Sequence, residues 1–481
     1  MDFQWILVRV HIIQKIFNFL IFLNFNNFIL NYIILISIIY FLKNLIKNIN
    51  KNNNDNDASE KLIETNENNN KNEFTLFSIN LNGWFTIINL VSGALGGGVF
   101  KFPNILYNIG IFNGIVCFIF VSFSIYFSLD LLRRFVVDTK LYSYASITQA
   151  TLGYFWLIAY AVSSFITYML SISSYLKLLY NYIISILPGI DDNIVAKFFY
   201  YFITYIIEVV LCIFTSNLSK IYILSTICFC LFFIILIKII IESIYNMSTN
   251  EDTFNYITAF TIQDGTNSWE KFLSFMPKIN EFLFGFISHS TFPTLLNYFH
   301  SPNDDEKTRK INKIQLIILY TMYGLFTIFG LFCLSSEDKV IKKTLDNPGE
   351  YIINILFIIY LISLVPIRYI IIRDNYTSNF KQDYLPAKYE IPTTCLCLLI
   401  CNLIACFARD NIVQTIFIQI LSGIFGVFIC FILPVINFVK LNDKSKIRSI
   451  IGYIISSIFL LIGIFSIIFS IKKEVEQNNK I

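Results

Sequence analysis

Charged side chains are scarce in this chain of 481 residues. Asp, Glu, Lys and Arg together make up 14% of the residues, against roughly 25% in an ordinary soluble protein. Hydrophobic residues make up 56%, and a soluble fold could not cover that much apolar surface with so few charges. A lipid bilayer can serve as the solvent instead, because a spanning helix needs only about 20 apolar residues. The composition therefore argues against a soluble enzyme, a disordered scaffold and a nucleic-acid binder.

Histidine and enzyme signatures are also scarce. The chain has three histidines, His11, His289 and His300, and contains no Walker lysine motif, no HExxH and no GxSxG sequence. Its ten cysteines lie in apolar runs, as Cys395 and Cys397 do, and lack the partners of a zinc site. An intramembrane enzyme would need a histidine with acidic or Asn partners within a span, which His289 alone does not supply. We therefore predict a non-enzyme with no metal site, no cofactor and no nucleic-acid partner.

Polarity divides the chain into three segments. Residues 1–48 are apolar but interrupted by Asn, residues 49–78 are polar and Asn-rich, and residues 79–475 alternate hydrophobic runs with short polar loops. The first segment fits an extra spanning helix, an interfacial helix or a mis-called exon, and it lacks the cleavage site of a signal peptide. The second is predicted to be a disordered linker, because it cannot bury enough apolar area to become ordered.

The third segment is predicted to be an all-α transmembrane domain of about eleven helices. Its continuous apolar runs suit spanning helices and contradict the alternating pattern of a β-barrel. Most Lys and Arg residues of its loops fall on the same side as the Asn-rich linker, and the positive-inside rule makes that side cytosolic. The predicted spans are residues 84–108, 112–135, 154–186, 195–214, 221–241, 279–298, 314–334, 351–372, 391–408, 412–439 and 449–471.

Glycine clusters where the first of these spans must break. The run GALGGGVFKFP at 93–103 places Gly93, Gly96, Gly97 and Gly98 shortly before a proline, and each Gly inside a helix costs about 1 kcal/mol. A broken helix at membrane depth is tolerated only where it is buried or lines a cavity. The alternative is close helix packing through Gly93 and Gly97. Because the glycines lie all round the helix, we favour the break.

The sixth span repeats this pattern. The run FLFGFISHSTFPTLL at 282–296 includes Gly285, Ser288 and His289 and ends in a Phe-Pro pair, as the weak stretch of the first span does. Pro103 and Pro293 are 190 residues apart (293 − 103), with five spans in each unit. Interrupted helices at matching positions of two halves indicate an inverted-repeat transporter with a site at the bilayer midplane.

Four blocks resemble the amino acid/auxin permease (AAAP) family of transmembrane amino acid transporters, within the amino acid–polyamine–organocation (APC) superfamily. They are the glycine block that ends at Pro103, the Phe-x-x-His block at 286–289, the Pro-Ile-Arg element at 366–368, and the small residues and proline between Ser422 and Pro434. The resemblance covers roughly 78–471. It implies a LeuT-like five-plus-five inverted repeat with an eleventh helix, transporting amino acids with a proton or sodium gradient. The excess of Asn, Ile, Lys, Phe and Tyr resembles proteins of apicomplexan (malaria-type) parasites, whose genomes are AT-rich.

The predicted substrate site follows the two breaks. Half-helix N-termini favour the carboxylate of an amino acid, and freed carbonyls favour its ammonium group. A polar stripe on the third span, which must face protein or a water path, adds two residues to the cavity wall. The substrate-binding candidates are Gly93, Gly96, Gly97, Gly98, Gly285, Ser288, Ser164 and Tyr168.

The predicted coupling candidates are Lys101, His289 and Ser363. Lys101 departs from the family pattern, and an ionisable residue inside a span indicates function unless it snorkels to the interface. It would pair with a substrate carboxylate or with an acidic residue such as Glu208. His289 would carry a proton or serve as a structural hydrogen-bonding residue, and Ser363 would contribute to a cation site. Arg368 is expected to anchor the cytosolic end of its helix.

The sequence thus predicts a secondary amino acid transporter, with an amino acid sensor on the same fold as the alternative. Its partners would be an amino acid substrate and the lipid bilayer. Its location would be the plasma membrane or an internal vacuolar or organelle membrane. The sequence does not predict the oligomeric state.

Overall fold

The structure, a computed structural model, describes most of the third segment. The predicted N-terminal segment (1–48) and the Asn-rich linker (49–78) lie outside the described residues. Contacts between Cα atoms group residues 79–346 and 350–481 into one compact unit. The described ranges are 81–186, 194–215, 218–249, 268–296, 304–333, 348–379, 387–407, 421–441 and 446–478.

Within these ranges every element is a helix. A 3-10 helix, Gly97–Lys101, lies between the first two α-helices, and π-helical turns at Leu421–Gly426 and Phe428–Ile432 precede the thirteenth. The α-helices are α1 (Leu81–Ala94), α2 (Phe102–Ile109), α3 (Ile111–Thr139), α4 (Tyr144–Leu152), α5 (Tyr154–Ile186), α6 (Ile194–Phe214), α7 (Leu218–Thr249), α8 (Ser268–Gly285), α9 (Phe292–Leu296), α10 (Asp305–Phe332), α11 (Pro348–Asn379), α12 (Ala387–Phe407), α13 (Leu433–Lys440) and α14 (Lys446–Asn478).

Eight of the described helices are long and apolar enough to cross a membrane. A ninth span results if the pair formed by 83–94 and 98–109, bent by 56°, counts as one. Many large apolar side chains of these helices are exposed, as a lipid-facing surface requires. On α6, for example, Phe199, Phe202 and Val210 are each at least 59% exposed, while Glu208 of the same helix is fully buried. The total of eleven spans stays a prediction.

Short-range chemistry sets the helix ends near the broken first span. Gly110 has φ 85°, a left-handed conformation that glycine adopts readily, and it separates α2 from α3. Pro103 occupies the first turn of α2, where its missing N–H costs nothing. Asp304 caps α10 by accepting a hydrogen bond from the N–H of Lys307. Helix α2 therefore ends just before a glycine, while a proline in the first turn and an aspartate cap mark the starts of α2 and α10.

The described helices pack in two groups that meet at the broken helices. In one group, α10 contacts α1, α2 and α3, and α8 contacts α2 and α3. In the other, α12 packs against α5 and α6. The 3-10 helix between α1 and α2 contacts helices of both groups, α8 and α10 on one side and α5 on the other. The irregular part of the first span thus lies between the two groups of described helices.

Candidate functional site

Both predicted helix breaks are present. Helix α1 ends at Ala94, and Gly96 has an extended backbone (φ −140°, ψ 166°) before the 3-10 helix begins. Helix α8 ends at Gly285, and residues 286–291 form turns before α9. These residues are fully or nearly fully buried, so their freed backbone groups face protein rather than lipid.

The two breaks touch each other at glycine. A Cβ atom added to Gly98 would lie 2.8 Å from the Cα atom of Gly285, and one added to Gly285 would collide with the ring of Phe102. Gly93 lies inside α1, where an added Cβ would lie 2.8 Å from Leu295 Cδ1 of α9. Gly93 therefore allows α1 and α9 to pack closely, which is the alternative to a helix break considered above for this residue. Gly98 and Gly285, in contrast, are where the backbones of the two breaks meet.

Two long polar side chains hold the freed carbonyl groups of both breaks. The Tyr323 hydroxyl lies within hydrogen-bond distance of the carbonyl oxygens of Ala94 (2.9 Å) and Gly285 (3.1 Å), which share its one O–H donor. The Arg368 guanidinium donates to the oxygens of Ala94 and Leu95 (both 3.4 Å) and of Ile287 (3.1 Å). Tyr323 belongs to α10 and Arg368 to α11. Each side chain thus bridges the first break and the second.

The position of Arg368 corrects the sequence expectation. Arg368 does not anchor a cytosolic helix end, because it is 4% exposed and its guanidinium lies against the breaks. A Cβ on Gly96 would lie 2.9 Å from its Nη2 atom. The signal was present in the sequence: an arginine within an apolar run, two residues after Pro366, is an intramembrane ionisable residue and indicates a functional site.

The polar stripe of α5 reaches the breaks through Tyr168. The guanidinium of Arg368 lies 6.0 Å from the centroid of the Tyr168 ring, at cation–π range, and Tyr168 is 1% exposed. Ser164, one turn earlier, is fully buried and donates to the carbonyl of Ala161 at 3.1 Å. The structure therefore brings Tyr168 to the breaks, while the hydrogen bond from the Ser164 hydroxyl to Ala161 lies within α5.

Gly97 and Ser288 complete the predicted substrate residues. Gly97 begins the 3-10 helix of the first break. The carbonyl of Ser288 accepts hydrogen bonds from the N–H groups of Thr291 and Phe292 (both 3.2 Å) and from the Thr291 hydroxyl (2.7 Å). The Ser288 carbonyl thus accepts the first hydrogen bonds of α9. It is therefore less available to a substrate than the carbonyls of Leu95 and Ile287.

The three coupling candidates lie in different places. His289 is fully buried, its Nε2 lies 3.2 Å from the Ser128 hydroxyl, and its Nδ1 has no hydrogen-bond partner among the described residues. The Ser363 hydroxyl donates to the carbonyl of Ile359 on its own helix (2.7 Å). Lys101 lies at the end of the 3-10 helix. Within the part of the chain that the structure describes, no hydrogen bond or ion pair joins these three residues.

The expected pairing of Lys101 with Glu208 is not present. A carboxylate oxygen of Glu208 accepts a hydrogen bond from Asn402 Nδ2 (3.2 Å), which links α6 to α12. Helix α8, which contacts the 3-10 helix, carries Glu281, and Glu281 pairs with Lys278 of its own helix (3.6 Å).

Other hydrogen bonds fix the helices around the breaks. Ser92 Oγ donates to the carbonyl of Ser225 (2.7 Å), which joins α1 to α7. Ser128 Oγ donates to the carbonyl of Cys430 in the π-helical segment. No cluster of His, Cys, Asp or Glu that could hold a metal ion occurs within the described ranges.

The fold is shared with a solved transporter. A Na+-coupled sialic acid symporter, solved in a substrate-bound outward-open state, superposes with a TM-score of 0.53 at 13% sequence identity. The match covers 81% of this chain and 87% of the symporter chain. At this identity the likeness shows the fold alone, and it confirms the predicted LeuT-like all-α architecture. No curated protein sequence matches the chain.

Buried broken helices on this fold define a class of multi-pass membrane transporters rather than enzymes. Residues 80–474 match the family described as transmembrane amino acid transporter protein. The chain belongs to this family, which confirms the resemblance found in its motifs. Membership implies an amino acid substrate and a membrane environment.

Proposed function

We propose that this protein is a secondary active transporter that moves amino acids across a membrane by alternating access. The observation that carries the proposal is the contact of two broken helices at Gly98 and Gly285, with the freed carbonyls around them held by polar side chains. Broken helices at the interface of two repeats are where such transporters bind substrate.

The backbone around the breaks suits both ends of an amino acid. The carbonyl oxygens of Ala94, Leu95 and Ile287 already accept hydrogen bonds from a cation, so they suit an ammonium group. No side chain caps the 3-10 helix that follows Gly96, and the first N–H groups of a helix have no partner within it. These N–H groups favour a carboxylate.

The packing supports a rocking motion. The first, second, sixth and seventh spans correspond to α1 with α2, α3, α8 with α9, and α10, and contacts link these elements into one group. A packed group moves as a body more readily than it deforms. Rocking of this group against α5, α6, α11 and α12 would open the breaks to each side of the membrane in turn.

For the coupling ion, a proton is favoured over sodium. The guanidinium of Arg368 lies against the freed carbonyls, where sodium would otherwise bind, and like charges repel. His289 lies within the second break, and its Nδ1 atom, which has no partner among the described residues, is available to accept a proton. His289→Gln, which keeps a hydrogen-bonding group near Ser128, is expected to lose proton-driven accumulation while amino acid exchange continues. Loss of accumulation in Lys101→Gln but not in His289→Gln would assign coupling to Lys101 instead.

The function is tested by uptake into proteoliposomes. The purified chain, reconstituted into sealed vesicles, would be offered each of twenty labelled amino acids with an imposed proton gradient, an imposed sodium gradient or no gradient. We expect accumulation of some amino acids with the proton gradient and not with the sodium gradient alone. Saturable binding of an amino acid without flux under any gradient would contradict transport and favour a membrane-resident sensor.

Two finer assignments stay predictions. The first is the location in the plasma membrane or in a vacuolar or organelle membrane. The second is the apicomplexan origin, which rests on composition alone.

A further inference from the structure

We propose that Arg368 binds the carboxylate of the substrate, and that it makes the site selective for compounds that carry a carboxylate. The proposal rests on the proposed function, since it assigns one end of the transported amino acid to a side chain. The arginine belongs to α11, outside the two broken spans, yet its guanidinium lies between them.

The charge of Arg368 has no counter-ion among the residues that the structure describes. Arg368 is 4% exposed, and no described carboxylate forms a salt bridge with it. Arg133, which is also fully buried, shows how a buried arginine is usually neutralised, because it pairs with Asp130 (3.0 Å) and Asp305 (2.6 Å). A buried charge without a partner is costly. The site around Arg368 therefore lacks one negative charge, and an incoming carboxylate would supply it.

The hydrogen bonds of Arg368 are also incomplete. A guanidinium has five N–H donors, and those on Nη1 and Nη2 reach three carbonyl oxygens. Its Nε is buried without an acceptor. The carbonyl oxygens accept hydrogen bonds from Nη1 and Nη2 of the guanidinium but not from its Nε–H group. A carboxylate, by contrast, can accept two parallel N–H bonds from one guanidinium. The Nε donor of Arg368 is therefore available to an incoming carboxylate.

The position of the guanidinium matches the rest of the proposed site. Its Nη2 atom lies 2.9 Å from where a Cβ on Gly96 would be, next to the start of the 3-10 helix. A carboxylate at this place would accept hydrogen bonds from the guanidinium of Arg368. Meanwhile the ammonium group of the same molecule would replace the guanidinium on the carbonyls of Ala94, Leu95 and Ile287. The exchange leaves every charge paired.

Ligand selectivity of the purified full-length protein tests this assignment. The probes are the twenty free amino acids and their α-carboxamides, which keep the ammonium group but lack the negative charge, measured by thermal stabilisation and by titration. We expect wild type to bind its best amino acid about 30-fold or more tightly than the matching carboxamide. In Arg368→Gln this preference is expected to fall below about threefold, because the charge-assisted bonds are lost.

Two further variants separate carboxylate binding from a purely structural role. Arg368→Lys keeps the positive charge but cannot donate two parallel N–H bonds, so we expect a preference for amino acid over carboxamide between those of wild type and Arg368→Gln. If Arg368→Gln does not fold, Arg368→Lys takes its place in the test. Tyr323→Phe removes another side chain that bridges the two breaks but leaves the charge. It is expected to weaken binding of amino acid and carboxamide alike and to keep the full preference.

The outcomes distinguish this proposal from the transport proposal. Equal binding of amino acids and carboxamides by wild type, or an unchanged preference in a folded Arg368→Gln, would overturn the role of Arg368 even if flux is observed. An Arg368-dependent preference without flux would support the role of Arg368 and overturn transport.

Discussion

Gly98 and Gly285 bring two polypeptide backbones into contact at the centre of the candidate site. Because neither residue carries a side chain, the end of α8 lies directly against the 3-10 helix of the first break. The freed carbonyls of both breaks are then close enough for one tyrosine or one arginine to reach them together. A small side chain at this contact would separate the two halves of the site.

Gly98→Ala is expected to destabilise the protein by about 1–3 kcal/mol, as overpacking does, and to abolish uptake. Its Cβ would lie 2.8 Å from a backbone atom, which cannot rotate away as a side chain can. Thermal unfolding in detergent and proteoliposome uptake measure the two effects. Gly324→Ala in α10 is the control, since the nearest atom to its Cβ is 3.9 Å away. Equal uptake by the two variants would contradict the importance of the contact.

Tyr323→Phe is expected to lower uptake about fivefold, the equivalent of about 1 kcal/mol. The change removes the donor to the carbonyls of Ala94 and Gly285 without altering volume or charge. Tyr320→Phe is the matched control, because Tyr320 lies three residues earlier on α10 and its hydroxyl donates to the carbonyl of Ser122 on α3 (2.7 Å) and not to a carbonyl of either break. Should both variants lose uptake equally, the effect would come from helix packing in general.

Residue patterns predicted where the breaks are, but not which side chains hold them. Clustered glycines are incompatible with a regular helix, so the break near Gly98 follows from the sequence. The roles of Tyr323 and Arg368 depend on which helices face the breaks, and hydropathy does not show this. Arg368 was further obscured because it lies in the second half of a long span, where a basic residue near the cytosolic end is ordinary.

At the scale of whole helices, proline alone does not indicate a break. Pro277, Pro366 and Pro392 lie inside α8, α11 and α12, which continue through them. In the two broken spans, a proline follows glycine-rich or polar residues and starts the second half-helix. In membranes, neighbouring groups can satisfy the carbonyl that a proline frees, so glycine together with proline is the stronger signal.

The described part of the tenth span starts with a π-helical turn, where the span meets α14 through two glycines. A Cβ on Gly463 would lie 2.9 Å from the Cα of Gly423 and would collide with its carbonyl oxygen. Gly423 belongs to the π-helical turn Leu421–Gly426, and such turns occur frequently at functional sites. A later residue of the same span, Cys430, accepts the hydrogen bond of Ser128, which also contacts His289. A shift of α14 would therefore move the tenth span, and with it the Cys430 carbonyl that holds the hydroxyl next to His289.

Gly463→Ala is expected to lower the free energy of unfolding by about 1–3 kcal/mol or more, since the added methyl group meets backbone atoms on the facing helix. Thermal unfolding in detergent measures the loss. Ser457→Ala on an exposed part of the same helix is expected to change stability little. An unchanged melting temperature in Gly463→Ala would show that α14 can move away from the tenth span at little cost.

Across the whole molecule, the spacing of the two Phe-Pro pairs predicted the architecture better than any single motif. Equal numbers of spans between matching breaks favour two inverted halves, and the shared fold with a known symporter agrees. The sequence could not predict how the halves face each other, because many pairs of apolar helices pack equally well in lipid. Contacts such as Gly98 with Gly285 fix that arrangement.

The predicted orientation is tested by labelling introduced cysteines in cells. The ten native cysteines are buried or half-buried, which keeps background labelling low. Arg309→Cys, at the exposed start of α10, is expected to react with a membrane-impermeant maleimide only after permeabilisation. Ser248→Cys, exposed at the end of α7, is expected to react on intact cells that carry the protein in the plasma membrane. The opposite pattern would reverse the orientation that the basic loops predict.

The guanidinium held against the carbonyls of Ala94, Leu95 and Ile287 has a consequence for the empty protein. Open carbonyl groups inside a membrane attract small cations from solution, and a protein that changes its open side could carry such ions down their gradients. Here the cation that occupies the carbonyls is covalently attached to α11 and cannot leave. We therefore expect that the resting protein conducts little Na+ or K+, so that a cell making it in excess would not lose its ion gradients.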